Sequence, residues 1–182
     1  MRRDTIGIES AGWSPESRLV TVAIVSVHPH GAVDDVGADF LAARCEELGH
    51  RVIKRLSLPP DLGTLEAQLR AWVGEELVDV ILVVGGVGLS PNDVAPEAVR
   101  AVLDREIPGY GEAVRAVRSE RLGIRSIHGR EIGGTSGHTF IFCISSEPES
   151  CQETWNQVIE PLLSRDSEAS LVPLLAQLDM VE

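Results

Sequence analysis

Four consecutive apolar residues, Ile81-Leu82-Val83-Val84, run directly into Gly85-Gly86-Val87-Gly88 and then Leu89-Ser90-Pro91-Asn92-Asp93. An unbroken apolar run of this kind suits a strand buried on both faces, as in a parallel sheet. Three glycines within four residues then turn the chain, and a helical pattern starts near Pro96. Strand, turn and helix in that order place the turn at the carboxyl end of a strand, where open α/β sheets bind ligands. Glycine permits both the sharp turn and the close approach of a ligand to backbone N–H groups. A tight turn that holds no ligand is equally compatible with so short a pattern.

The flanking segments repeat the strand–helix alternation. Strands are predicted near 19–27, 51–58, 78–84 and 139–144. A helix from Asp34 or Asp35 to about Leu48 presents Val36, Phe40, Leu41, Cys45 and Leu48 on one face, and Gly49 stops it. Pro59-Pro60 ends the second strand, and Asp61 stands where a helix N-cap belongs. Leu62, Leu65, Leu69, Trp72, Val73 and Leu77 form the stripe of the next helix. Val99, Val102 and Leu103 face inward on the helix begun near Pro96; Pro108-Gly109 breaks it, and a short helix follows from Tyr110 to about Glu120. Arg115, Arg118, Arg121 and Arg125 read as a solvated helix face, with a local anion site or a subunit contact as the other readings. Residues 128–138, with four glycines, read as a mobile or tightly turned loop. A helix carrying Trp155, Val158, Ile159, Leu162 and Leu163 follows, and an amphipathic segment, Leu171 to Leu178, closes the chain. Such a βαβ series predicts a mostly parallel sheet with right-handed crossovers and helices on both faces.

The 182 residues suit one domain over 19–182, preceded by an arm over 1–18 that Trp13 either pins to the domain or leaves unattached. A formal charge of −12 argues against a general nucleic-acid binder. Cys45, Cys143 and Cys151 lie near apolar runs without metal-like spacing, which favours buried free thiols in a reducing, cytoplasmic setting. No apolar run approaches the ~20 residues that span a membrane. His28 and His30 could share a metal, but a polar loop with two solvated imidazoles is the simpler reading.

Beyond the turn, the chain reads Asn92-Asp93-Val94-Ala95-Pro96-Glu97-Ala98 and Asp104-Arg105-Glu106-Ile107-Pro108-Gly109-Tyr110-Gly111-Glu112. With Pro60-Asp61 and Val84-Gly85-Gly86-Val87-Gly88, these segments resemble the MoaB/MogA family of molybdenum-cofactor biosynthesis proteins, from about Val20 to Leu163. The resemblance implies a three-layer α/β sandwich of the molybdopterin-binding, MogA-like fold, assembled as a homotrimer or higher homo-oligomer. It implies a nucleotidyltransferase that cuts ATP between its α- and β-phosphates and passes AMP to the terminal phosphate of molybdopterin, with magnesium assisting. Its two required aspartates map onto Asp61 and Asp93, as catalytic residues and metal ligands. Gly85, Gly86, Gly88, Ser90, Glu97, Arg130, Ser145 and Ser146 fall at its ligand-binding positions.

Phosphoryl-type transfer depends on charge neutralisation and positioning more than on covalent work. Magnesium needs only one or two carboxylates when substrate phosphates complete its shell. The glycine amides can meet phosphate oxygens without a charged side chain. Several positions depart from the family. Val84 and Val87 replace two threonines, removing hydroxyls able to touch phosphate. Asn92 replaces an arginine, His28-Pro29-His30 a Ser-Asp-Arg, and Gly129 the serine before Arg130. Ile144-Ser145-Ser146-Glu147-Pro148 stands for a Leu-Pro-Gly-Ser-Pro loop and adds a negative charge. Each lost charge-assisted contact costs ~1.5–3 kcal/mol. Three functions follow: a molybdopterin adenylyltransferase, a binding or scaffold paralogue without turnover, or a pocket retuned to another phosphorylated ligand.

Overall fold

The structure, a computed structural model, describes residues 19–28 and 35–178. The predicted arm, Trp13 and His30 lie outside them. Strand β1 (Thr21–Val27), helix α1 (Val36–Glu47), β2 (Arg51–Leu58), α2 (Leu62–Val73), β3 (Val80–Val84) and α3 (Ala95–Val102) alternate in sequence. A two-residue strand β4 (Arg105–Glu106), α4 (Pro108–Leu122), a 3₁₀ segment (Gly123–His128), β5 (Gly133–Ser136) and β6 (Thr139–Ile144) follow. Helix α5 (Pro148–Thr154) runs through a π-helical turn (Trp155–Ile159) into α6 (Glu160–Leu163), and α7 is Val172–Leu178.

The six strands make one sheet in the order β2-β1-β3-β6-β5-β4. The first four are parallel, and β5 and β4 are added antiparallel. Register aligns Ser26, Val84 and Ile144 at the carboxyl edge. Period-two alternation divides the apolar strand residues between the faces. Ile24, Leu82 and Phe142 join Leu41, Val114 and Trp155 beneath α1, α4 and α5. Val25, Val83 and Ile141 join Leu65, Leu69 and Val99 beneath α2 and α3. The result is the three-layer sandwich. All three cysteines are buried free thiols, and burial pushes each up to about 12. Among the described residues no helix is long and apolar enough to cross a membrane.

Several local readings change. The glycine-rich stretch expected as a mobile loop contains β5, and Gly133 and Gly134 are buried in it. A Cβ on Gly133 would stand 2.5 Å from the Phe142 ring, and one on Gly134 would strike the Arg105 carbonyl. These glycines serve close packing, which composition alone does not distinguish from flexibility. Pro108 opens α4 at its first turn, and α3 has already ended at Val102. Leu77, expected in the α2 stripe, lies beyond that helix and is 73% exposed; Val36 and Leu62 are also exposed.

The arginine run is not a plain solvated face either. Arg118 is buried and paired with the fully buried Glu131. Arg121 bridges Glu153 at 2.8 Å, Glu149 at 2.9 Å and Glu147 at 3.4 Å. Much of the run therefore serves contacts within the domain.

Candidate functional site at the carboxyl edge of the sheet

The Gly85–Gly88 turn leaves β3 at this edge. Gly85 has φ +88° and Gly86 φ +65°, values that suit glycine. A Cβ on Gly85 would sit 2.7 Å from the Val27 carbonyl, so the turn also passes close to the end of β1. The Gly85 amide donates to the Ile144 carbonyl at 2.8 Å and is not open to a phosphate, contrary to expectation. Its place is fixed by the sheet, whose hydrogen bonding continues one residue past β3. The Gly86 and Gly88 amides donate to no group among the described residues, and both glycines are partly exposed.

Val84 and Val87 are both buried, Val84 on one face of the sheet and Val87 on the other. Side chains at these positions enter the core rather than the cleft. Replacing threonine by valine there takes no hydroxyl from the open surface of this structure, which corrects the cost expected from sequence.

Asp93 closes the loop after the turn. Its Oδ2 accepts from the Ser90 amide at 2.7 Å, and its own amide donates to the Ser90 carbonyl at 2.9 Å. The second carboxylate oxygen carries no hydrogen bond among the described residues. Gly88 packs against this carboxylate, and a Cβ there would meet Oδ2 at 2.7 Å. The Ser90 hydroxyl accepts from the Asn92 amide at 3.3 Å. A cleft of about 410 Å³ opens here, lined by Ser90, Asp93, Glu97 and Arg130, with Leu62 and Leu89 among its apolar lining. Leu62 is 42% and Leu89 67% exposed. Neither was singled out from sequence as a site residue, because exposure of a leucine is invisible to apolar patterning.

Asp61 is the N-cap of α2, as its position after Pro59-Pro60 suggests. Its Oδ1 accepts from the Thr64 hydroxyl at 2.6 Å and the Thr64 amide at 2.8 Å. Those two bonds, the hydroxyl first, hold the carboxyl below its ordinary value. Asp-x-x-Thr was readable as a capping pattern. Asp61 does not itself line the Asp93 cleft; its neighbour Leu62 does.

Arg130 lies in the same cleft with every guanidinium nitrogen engaged. Nε donates to the Gly88 carbonyl at 2.6 Å, Nη2 to the Asp93 carbonyl and Nη1 to Glu97. Burial pushes Glu97 up, but the hydrogen bond and charge of Arg130, with Arg100 nearby, outweigh it and hold the carboxyl low. Glu131, next in sequence, is raised by burial against the pull of Arg118 and Arg115. A second cleft, of about 360 Å³, shares Arg130 and is lined also by Arg100, Glu106, Glu112, Arg115 and Glu131.

Ser145 and Ser146 follow β6 on the other side of the turn. Ser145 is buried and its hydroxyl accepts from the Glu147 amide at 3.2 Å. Ser146 is exposed beside Gly85 and Gly37, near the start of α1. The extra negative charge of Glu147 is turned onto the Ser150 hydroxyl and Arg121, which, in that order, hold the carboxyl low. His28 is half-buried rather than solvated: its Nε2 faces both the Ser57 hydroxyl at 3.0 Å and Asp35 at 3.7 Å.

The edge thus gathers Ser90, Asp93, Glu97 and Arg130 in one cleft, whose lining does not include Gly85, Gly86, Gly88, Ser145 or Ser146. A family profile described as "Probable molybdopterin binding domain" matches residues 11–165. Molybdenum cofactor biosynthesis protein B of Escherichia coli K12 is 32% identical over 143 residues, 78% of this chain and 84% of that one. The Bacillus cereus protein of the same name is 33% identical over 130 residues, 71% of this chain and 77% of its own. A crystal structure of molybdenum cofactor biosynthesis protein B superposes with a TM-score of 0.80 at 28% identity, covering 91% of this chain and 99% of the other. A MogA structure gives 0.73 at 26%, covering 87% and 99%. The fold, the edge site and these likenesses agree, and the chain belongs to the molybdopterin-binding family of molybdenum cofactor biosynthesis proteins.

Proposed function

We propose that this chain binds molybdopterin along the carboxyl edge of its sheet and transfers adenylate to it from ATP. One observation carries the reading. Asp93, in the loop that follows the turn, has one carboxylate oxygen fixed by a backbone amide and the other without a hydrogen bond among the described residues, and the Gly86 and Gly88 amides of that turn donate to no group among them. Fixed carboxylates orient charge, and uncommitted amides are phosphate donors already in place. In the reaction a terminal phosphate oxygen of molybdopterin bonds to the α-phosphorus of ATP. The bond from that phosphorus to the bridging oxygen breaks, and pyrophosphate leaves with the electron pair.

The donor set suits magnesium. It is all oxygen, and no group of three or more His, Cys, Asp or Glu side chains among the described residues is placed to hold a metal ion. Magnesium is commonly held by one or two carboxylates plus substrate phosphates. When bound it neutralises phosphate charge. Asp93 is the residue that would hold it; Asp61, the other ligand implied by the family resemblance, does not line the same cleft. The glycine amides hold phosphate oxygens, and exposed Leu62 and Leu89 offer apolar surface to a flat ring.

The test is titration calorimetry with ATP and magnesium, followed by detection of adenylated pterin. Product from the wild type and none from Asp93→Asn supports the reading. Binding of molybdopterin without product supports instead a scaffold role. We further propose self-association as a trimer, with exposed Ile124 and Ile127 on the 3₁₀ segment as contact residues.

A further inference from the structure

Loop 88–93 carries Asp93, and its two ends are tied together by a side chain from elsewhere. Arg130 donates from Nε to the carbonyl at the start of the loop and from Nη2 to the carbonyl at its end. Its third nitrogen is taken by Glu97, on α3, the helix the loop leads into. Its own amide donates to the Val87 carbonyl at 2.9 Å. Each of the guanidinium's three nitrogens already holds a protein acceptor; of its five N–H groups, one on each terminal nitrogen has no protein partner among the described residues. A planar fork can span such acceptors; an ammonium cannot hold all three at once.

What holds Arg130 is equally specific. Glu131, next to it, is paired with Arg118 of α4, and both are buried. Gly129, just before it, lies against that pair; a Cβ there would strike Glu131 Oε2 and stand 2.5 Å from Arg118 Nη1. The Glu131 Oε2 and Arg118 Nε atoms are buried without a hydrogen bond among the described residues. An ion pair with two unsatisfied atoms is a poor source of stability compared with an apolar replacement. Fixing one backbone position is the use its placement suggests.

We propose that Arg130 is the positioning residue of the site: it staples loop 88–93 and so sets where the Asp93 carboxylate stands, while the Arg118–Glu131 pair beneath Gly129 sets Arg130. This rests on the functional reading above for its catalytic consequence only. The staple itself can be read without ligand.

The experiment is amide hydrogen exchange on the ligand-free chain, comparing wild type with Arg130→Lys and Gly129→Ser. The account expects exchange at the hydrogen-bonded loop amides, those of Ser90, Asn92 and Asp93, to rise about tenfold or more in Arg130→Lys, the scale of losing charge-assisted bonds, with the β1 and β3 amides unchanged. Gly129→Ser, whose Cβ meets Glu131 and Arg118 first, should raise exchange in the same segment. Arg118→Ala with Glu131→Ala, which removes the pair itself, should raise exchange in that segment as well. Unchanged exchange at those loop amides in Arg130→Lys overturns the proposal, and unchanged exchange in Gly129→Ser overturns the part assigned to the buried pair. If the wild type transfers adenylate, kcat should fall in Arg130→Lys while KM for ATP stays within about twofold, since the lysine keeps the positive charge and loses the staple; a rise in KM alone contradicts it. A wild type without transferase activity removes the functional reading and leaves the exchange result to decide this one.

Discussion

Asp93 and Asp61 share a motif role but differ in what their side chains do for the fold. The Asp93 carboxylate holds one amide of its own loop. An asparagine keeps an acceptor for that amide and loses the charge. Asp93→Asn should therefore lower turnover by about a hundredfold or more, the scale of a single electrostatic group in a transition state, with an unchanged melting temperature. Asp61 caps α2 through Thr64. Asp61→Ala should lower the melting temperature and Asp61→Asn should not, because asparagine is also a good cap; equal melting curves for Asp61→Ala and wild type would sink the capping account. His50 shows how burial alone sets a pH response. Its Nε2 bonds the Leu163 carbonyl at 3.0 Å and Nδ1 is buried without a hydrogen bond among the described residues. Burial is the main cause that lowers its pKa below the ordinary 6.5. The unfolded chain then binds the proton more readily than the folded one. Stability from this group is fully present above 6.5 and is lost as pH falls from there through the lowered folded value. Melting curves between about pH 7.5 and 5 should fall more steeply for wild type than for His50→Gln.

At the scale of elements, the four parallel strands and the helices between them were legible because their apolar residues recur with the right period. β2 was also readable, although it is an edge strand and mostly half-exposed. β4 and β5 were not. Arg105-Glu106 carries no strand signal, and Gly133-Gly134 reads as loop until Phe142 and the Arg105 backbone are seen pressed against them. Gly134→Ala should cost about 1–3 kcal/mol, the usual range for overpacking a tight site, measured by urea unfolding; a neutral change would mean that β4 can move aside. The site was legible to the same degree. The turn, Asp93 and Asp61 announced themselves by motif. The committed amide of Gly85, the inward-facing Val84 and Val87, and the stapling role of Arg130 depend on contacts between distant segments, which no spacing encodes.

For the whole molecule, a charge of −12 opposes indiscriminate contact, so self-association has to come from a specific patch. Light scattering at micromolar concentration and moderate salt should report a trimer for wild type and a smaller species for Ile124→Glu with Ile127→Glu; a wild-type monomer would contradict that proposal. The central claim, that this edge joins adenylate to molybdopterin, concerns the assembled site and is tested on the intact chain. The direct measurement is formation of adenylated molybdopterin from ATP, magnesium and molybdopterin by wild type and by Asp93→Asn under the same conditions. The account predicts product from wild type and little or none from Asp93→Asn, with matching melting curves. No product from a folded wild type that binds both substrates, or equal product from the two proteins, would contradict it.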